Sequence, residues 1–221
     1  MSKRAIGSVF TAAAFMVGLS GPARAATEIQ RVSFKGAQVF STFMASANVT
    51  CEDQSEGFAF ASGVLNGAEQ VSATTGLPTF MSNGVVVSIQ SYFNSCTGAS
   101  LAFAEGGAPN ALTPPDKKLM SAAMVGSAIV QDFGTGQTMP VSFNVSIVGS
   151  GDMNQGKSNS KSKVVGTKGG PISMSTSHFN NANRTGTASG TISIDGIALN
   201  PDFVFTIMIT NDNTQRTVSK L

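Results

Sequence analysis

The chain has 221 residues, with 14 Lys and Arg against 12 Asp and Glu, two cysteines and one histidine. Charged residues are only 12% of it, half or less of the usual share, while 24 glycines accompany plentiful Val, Ile and Phe; this argues against a charged disordered chain and for a β-protein with a Ser, Thr and Asn surface. A single histidine excludes multi-histidine metal chemistry, and two cysteines beside it leave little for a zinc site.

Residues 1–25 read as an export signal. Lys3 and Arg4 form the basic end, Ala5 to Leu19 the apolar run, and Ala23-Arg24-Ala25 a small-x-small cleavage site. Cleavage removes three of the fourteen basic residues and leaves eleven against twelve acidic ones, so the sequence pI of 8.6 belongs to the precursor. A near-neutral mature chain gives no electrostatic case for nucleic acid. The remaining residues, 26–221, suffice for one domain.

Short strands are expected at Ile29 to Phe34 and at Val39 to Thr50, where Phe43, Ala45, Ala47 and Val49 share a face with Cys51. Phe58 to Ala61 begins another strand, ended near Asn66-Gly67, and residues 68–83 read as a loop. Within Gly84 to Leu101, apolar and mixed positions alternate through Val85, Val87, Ile89 and Phe93 in a strand that ends at Cys96 and turns through Thr97 and Gly98 into a second apolar run, Leu101 to Ala104. In an exported chain the one available disulfide is Cys51–Cys96. Pro109, Pro114 and Pro115 mark a connection. Lys117 to Phe133 fits a strand pattern about as well as a helical one, and its β-rich surroundings favour strand. Val141, Phe143, Val145 and Ile147 against Ser142, Asn144 and Ser146 form the cleanest alternation. Residues 149–170 read as a long hairpin loop, followed by strands at Ile172 to His178, Thr185 to Ile194 and Phe203 to Thr210. The fold class is therefore all-β and antiparallel, a sandwich or jelly roll before a barrel.

Three short patches, Phe93-Asn94-Ser95-Cys96-Thr97-Gly98, Asp132-Phe133-Gly134-Thr135-Gly136 with Gly149-Ser150-Gly151, and Arg184 with Ala188-Ser189-Gly190-Thr191-Ile192, resemble a group of uncharacterised secreted bacterial proteins. The resemblance implies an exported all-β domain and no activity.

No Gly-x-Ser-x-Gly elbow presents a nucleophile, and His178, in SMSTSHF, reads as a hydrogen-bonded or exposed histidine rather than a catalytic base. A glycosidase needs paired carboxylates in a cleft, whereas the acidic residues here are sparse and sit in loops. Without Trp, and with Tyr92 the sole tyrosine, sugar stacking would fall to phenylalanines needed for the core, which counts against a carbohydrate-binding module. Glu52, Asp53 and Glu56 suit calcium best among ions, with Asn211-Asp212-Asn213 a second oxygen-rich turn, though neither follows an EF-hand order. Lys161 and Lys163, with Lys157 and Lys168 nearby, would share a face if extended and form a patch for phosphate or an acidic polysaccharide. The preferred reading is an exported, non-enzymatic β-sandwich, periplasmic or extracellular, binding an acidic glycan or surface component through loops 68–83 and 152–170. The alternatives are an outer-membrane β-barrel and a secreted hydrolase.

Overall fold

The computed structural model describes residues 27–165 and 172–220; the expected export signal and Lys168 lie outside them. The described residues form ten strands and no helix. These are β1 (Thr27–Thr50), β2 (Glu56–Thr74), β3 (Phe80–Asn94), β4 (Ser100–Pro109), β5 (Leu112–Thr113), β6 (Ser121–Asp132), β7 (Thr138–Gly149), β8 (Asn154–Val165), β9 (Ile172–Ile194) and β10 (Ile197–Lys220).

Every pairing is antiparallel. The hydrogen-bonded path β1-β2-β3-β4-β6-β7-β9-β10 returns to β1, because β10 pairs with β1 on one side and β9 on the other. The all-β antiparallel class is as expected, and the two layers facing each other across the core are opposite walls of one sheet closed into a barrel. Closure is narrowest between β4 and β6, where only Ala104↔Asp132 and Glu105↔Gln131 pair. Gly106 continues that contact: any Cβ there would overlap the Ile129 carbonyl.

The alternation along β7 shows how the wall is built. Met139, Val141, Phe143, Val145 and Ile147 are buried, while Ser142, Asn144 and Ser146 between them are exposed. The core is completed by Val39, Leu65, Val87, Ile89, Met124, Ile192 and Leu199 among others; burying each such side chain contributes about 1.5–3 kcal/mol. One polar pair lies inside, Ser41 Oγ and Thr206 Oγ1, 2.8 Å apart. Of the thirteen described phenylalanines only Phe43 and Phe143 are buried, and seven are exposed. The core draws on Ala, Val and Ile instead, so the premise that phenylalanines are needed inside does not hold.

Several strands run much longer than their local punctuation implies. The two early strands merge into the 24-residue β1 through Lys35-Gly36, and β2 continues past Asn66-Gly67 to Thr74. The supposed loop 68–83 shrinks to residues 75–79, and residues 154–165 of the supposed hairpin loop form β8. Weak strand formers are accommodated because paired neighbours take up their backbone groups. Residues 121–132 form a strand, as favoured above.

The barrel has two distinct ends. At one, Cys51 and Cys96 join the β1–β2 and β3–β4 turns with a Cα separation of 5.1 Å, a bond that fits an oxidising compartment. At the other, residues 110–119 cross the mouth, burying Ala111, Leu112 and Leu119. Beyond that mouth β8, β9, β10 and β1 continue as an open sheet, joined on the β1 side by the ends of β2 and β3.

Candidate functional site

Directly paired residues of antiparallel strands project to the same face, so the register defines what lines the inner side of this extension. Counting outward from buried Val39, Met208 and Ala182, the inner face carries successive cross-strand rows. Ala37, Thr210, Ala182 and Gln155 stand at the mouth. Next come Lys35, Asp212, Asn180 and Lys157, then Ser33, Thr214, His178 and Asn159. Arg31, Arg216, Thr176 and Lys161 follow, then Ile29, Val218, Met174 and Lys163, with Thr27, Ile172 and Val165 in the outermost row.

The result is a trough with six cations, Arg31, Lys35, Lys157, Lys161, Lys163 and Arg216, against the carboxylates of Asp212 and, at the mouth, Glu69. Its floor opens into a pocket of about 460 Å³ where Lys35, Glu69, Gln155, Asn180 and Asp212 meet Lys117 from the mouth-crossing segment. Among the described residues every basic side chain lies in the mouth half, whereas Glu52, Asp53, Glu56, Asp132, Asp195 and Asp202 cluster at the disulfide end. The chain is thus near-neutral in sum and polarised along its axis.

Lys157, Lys161 and Lys163 share one face, as extension of that segment would require. Arg31, Lys35 and Arg216 were not singled out in the sequence. Their spacing puts Arg31 and Lys35 on one face of β1, but only the successive pairings β1–β10, β10–β9 and β9–β8 set that face in one sheet with the lysines of β8.

Glu52, Asp53 and Glu56 lie at the β1–β2 turn at the opposite end. The Ser55 hydroxyl and backbone N–H both donate to Asp53 Oδ1, and hold its carboxyl below the usual range. Among the described residues no group of three His, Cys, Asp or Glu side chains gathers to hold a metal. Asn211-Asp212-Asn213 is not a turn: it lies within β10, with Asp212 facing the trough. His178 is exposed in the trough, its Nδ1 2.8 Å from Asn159 Oδ1.

Fold and site together define an antiparallel β-barrel with an apolar interior and a basic trough at one mouth. No family model, curated protein or solved structure matches the chain.

Proposed function

We propose that this is an exported, non-enzymatic binding protein that holds an acidic ligand, foremost an anionic glycan, along the basic trough. The observation that carries the reading is the convergence of six cations from three strands onto one face of a chain otherwise poor in charge. Strands present them on a supported sheet, so little side-chain placement depends on a loose loop.

The outer-membrane alternative must be weighed on the wall, since the absence of an apolar membrane-crossing helix says nothing of a barrel. The strands are long enough to span a bilayer, so length does not argue against insertion. Polarity does. A lipid-embedded barrel needs an apolar outer band around a polar lumen, whereas β7 and β9 present Ser142, Asn144, Ser146, Thr187, Ser189 and Thr191 outward over an apolar core. For a hydrolase, the hydrogen-bond partner of His178 is an amide rather than an orienting carboxylate.

The test is binding to polygalacturonate across a salt series, with Lys157→Ser/Lys161→Ser/Lys163→Ser as the variant. At about 0.5 kcal/mol per exposed contact, the triple substitution weakens binding on the order of tenfold, and added salt weakens the wild type in parallel. Equal affinity of both proteins would overturn the placement. Fractionation of the native chain tests the compartment: recovery only with detergent would revive the membrane barrel.

A further inference from the structure

A second feature, on the outer wall and far from the trough, is independent of that reading. Phe103 and Phe133 are each 71% exposed on neighbouring segments, and the Phe133 N–H donates to the Phe103 carbonyl at 3.4 Å. Phe103 has φ 57°, a left-handed backbone that a bulky side chain rarely adopts. It sits where the β3–β4 ladder is interrupted, between the pairs Ile89↔Ala104 and Ser91↔Ala102. An exposed phenylalanine gains nothing from the core for this conformation.

One buried carboxylate ties down the backbone beside both phenylalanines. Asp132 is 3% exposed; its Oδ2 accepts the Ala102 N–H at 2.6 Å, and its Oδ1 accepts the Gly134 and Thr135 N–H groups at 2.8 Å each. Those amides adjoin or closely follow Phe103 and Phe133 in the chain. A buried side chain therefore holds two exposed aromatic residues at the rim of a cleft of about 250 Å³, whose other walls are Ser88, Ile89, Gln90, Ala104 and Glu105. Rigid aromatic groups held by hydrogen-bonded support are the arrangement that lowers the cost of binding.

We infer that this cleft is a second binding site, one that takes a neutral pyranose ring stacked between Phe103 and Phe133. Its volume lies below the roughly 300 Å³ at which drug-sized sites begin, so it suits one ring. Phenyl faces match the C–H face of a sugar, and Ser88, Gln90 and Glu105 match its hydroxyls; Ser88 Oγ donates to Glu105 Oε1 at only 3.4 Å, leaving both groups capacity for a ligand. An aliphatic chain or lipid tail would bury those polar groups without partners. The negative Glu105, at the acidic half of the molecule, disfavours the anion that suits the trough.

The experiment is an NMR titration of the mature chain with maltotriose, cellotriose and tri-N-acetylchitotriose, read at the amides of residues 88–90, 103–105 and 133. Saturable shifts confined to that set are expected for at least one sugar, with Phe133→Ala weakening binding at least tenfold and leaving polygalacturonate binding intact. Phe103→Gly relieves the left-handed strain, so it should abolish sugar binding while the melting temperature holds or rises. The proposal falls if all three sugars leave these amides unmoved, or if Phe103→Gly melts several degrees lower, which would make Phe103 structural. It falls equally if sedimentation shows that Phe103 and Phe133 substitutions alter self-association in a protein that binds no sugar.

Discussion

Cutting the Cys51–Cys96 bond tests how much of the stability comes from the disulfide end. The bond closes a loop with a sequence separation of 45 residues, and the chain-entropy relation values that at about 4 kcal/mol at 25 °C. For a domain of this size each kcal/mol moves the midpoint roughly 2–4 °C, so Cys51→Ser/Cys96→Ser should melt about 8–16 °C below the oxidised protein by calorimetry. Packing around the bond supplies a second handle. A Cβ on Gly57 would stand 2.5 Å from Cys96 Sγ, 2.8 Å from Ser95 Oγ and 2.9 Å from Cys51 Sγ. Gly57→Ala therefore overpacks the turn and costs about 1–3 kcal/mol in the oxidised protein. In the double-serine background, where the two side chains are no longer bonded and can turn away, much of that cost should vanish; the difference is their coupling energy. A double-serine protein melting within about 3 °C of the oxidised one would refute the entropic argument, and an equal Gly57→Ala cost in both backgrounds would refute the packing argument.

Other perturbations separate hydrogen bonding from burial. Ser41→Ala strands the buried Thr206 hydroxyl and should cost about 1–3 kcal/mol in urea unfolding, while Ser41→Ala/Thr206→Val recovers most of the loss; a still less stable double variant would contradict this. Tyr92 is 2% exposed, its buried hydroxyl makes no hydrogen bond of good geometry among the described residues although the Asn94 side chain lies near it, and burial raises its pKa, so Tyr92→Phe should be neutral or stabilising by up to about 1 kcal/mol. A clear loss of stability would reveal a partner for that hydroxyl. The Ala102 N–H, followed by that of Thr135, holds the Asp132 carboxyl below 3.8. Its stabilisation is complete above the unfolded value near 3.8 and is lost as pH falls through the lower folded value. The melting-temperature gap between wild type and Asp132→Asn should thus be flat from pH 7 to about 5 and narrow below about 4; a gap that closes above pH 5 would assign the effect elsewhere.

Strict alternation made β7 readable from residues 141–147 alone, because one face meets the core and the other water. The same logic fails at β8, whose twelve residues are all exposed and whose Asn, Ser, Gly and Lys carry no apolar period through most of its length. Its strand character comes from pairing with β9, a property of the assembled sheet. Lys35-Gly36 and Asn66-Gly67 look like turns locally but pair on both sides, through Lys35↔Asp212 and Lys35↔Val71 in one case and Asn66↔Phe40 and Asn66↔Val86 in the other. The site divides along the same line. Residue parity alone put Lys161 and Lys163 together, whereas the contribution of Arg216 requires a pairing across 185 positions to Arg31, which no local pattern encodes. The phenylalanines misled for a related reason: the barrel interior is filled by smaller side chains, and hydrophobicity alone does not say which face of a strand a ring occupies.

On the proposed reading, the two ends divide stability from recognition. Around the disulfide the strands form a closed ring over a largely apolar core, so backbone positions there are over-determined. Past the mouth the inner rows are mostly Ser, Thr, Asn, Lys and Arg, with apolar residues confined to the outer rows through Ile29, Val218 and Met174 and to the β2–β3 side through Val71 and Met81. Such a surface is costly to maintain unless it meets something, and β8 as an exposed edge would invite pairing with other chains. Three lysines along one face of β8 oppose that pairing, since a second copy would set like charges against them. The same lysines attract a polyanion. Because the described basic residues all lie in the mouth half while six of the carboxylates lie at the far end, the proposed binding would orient an anionic partner trough first, a preference that weakens as salt screens it.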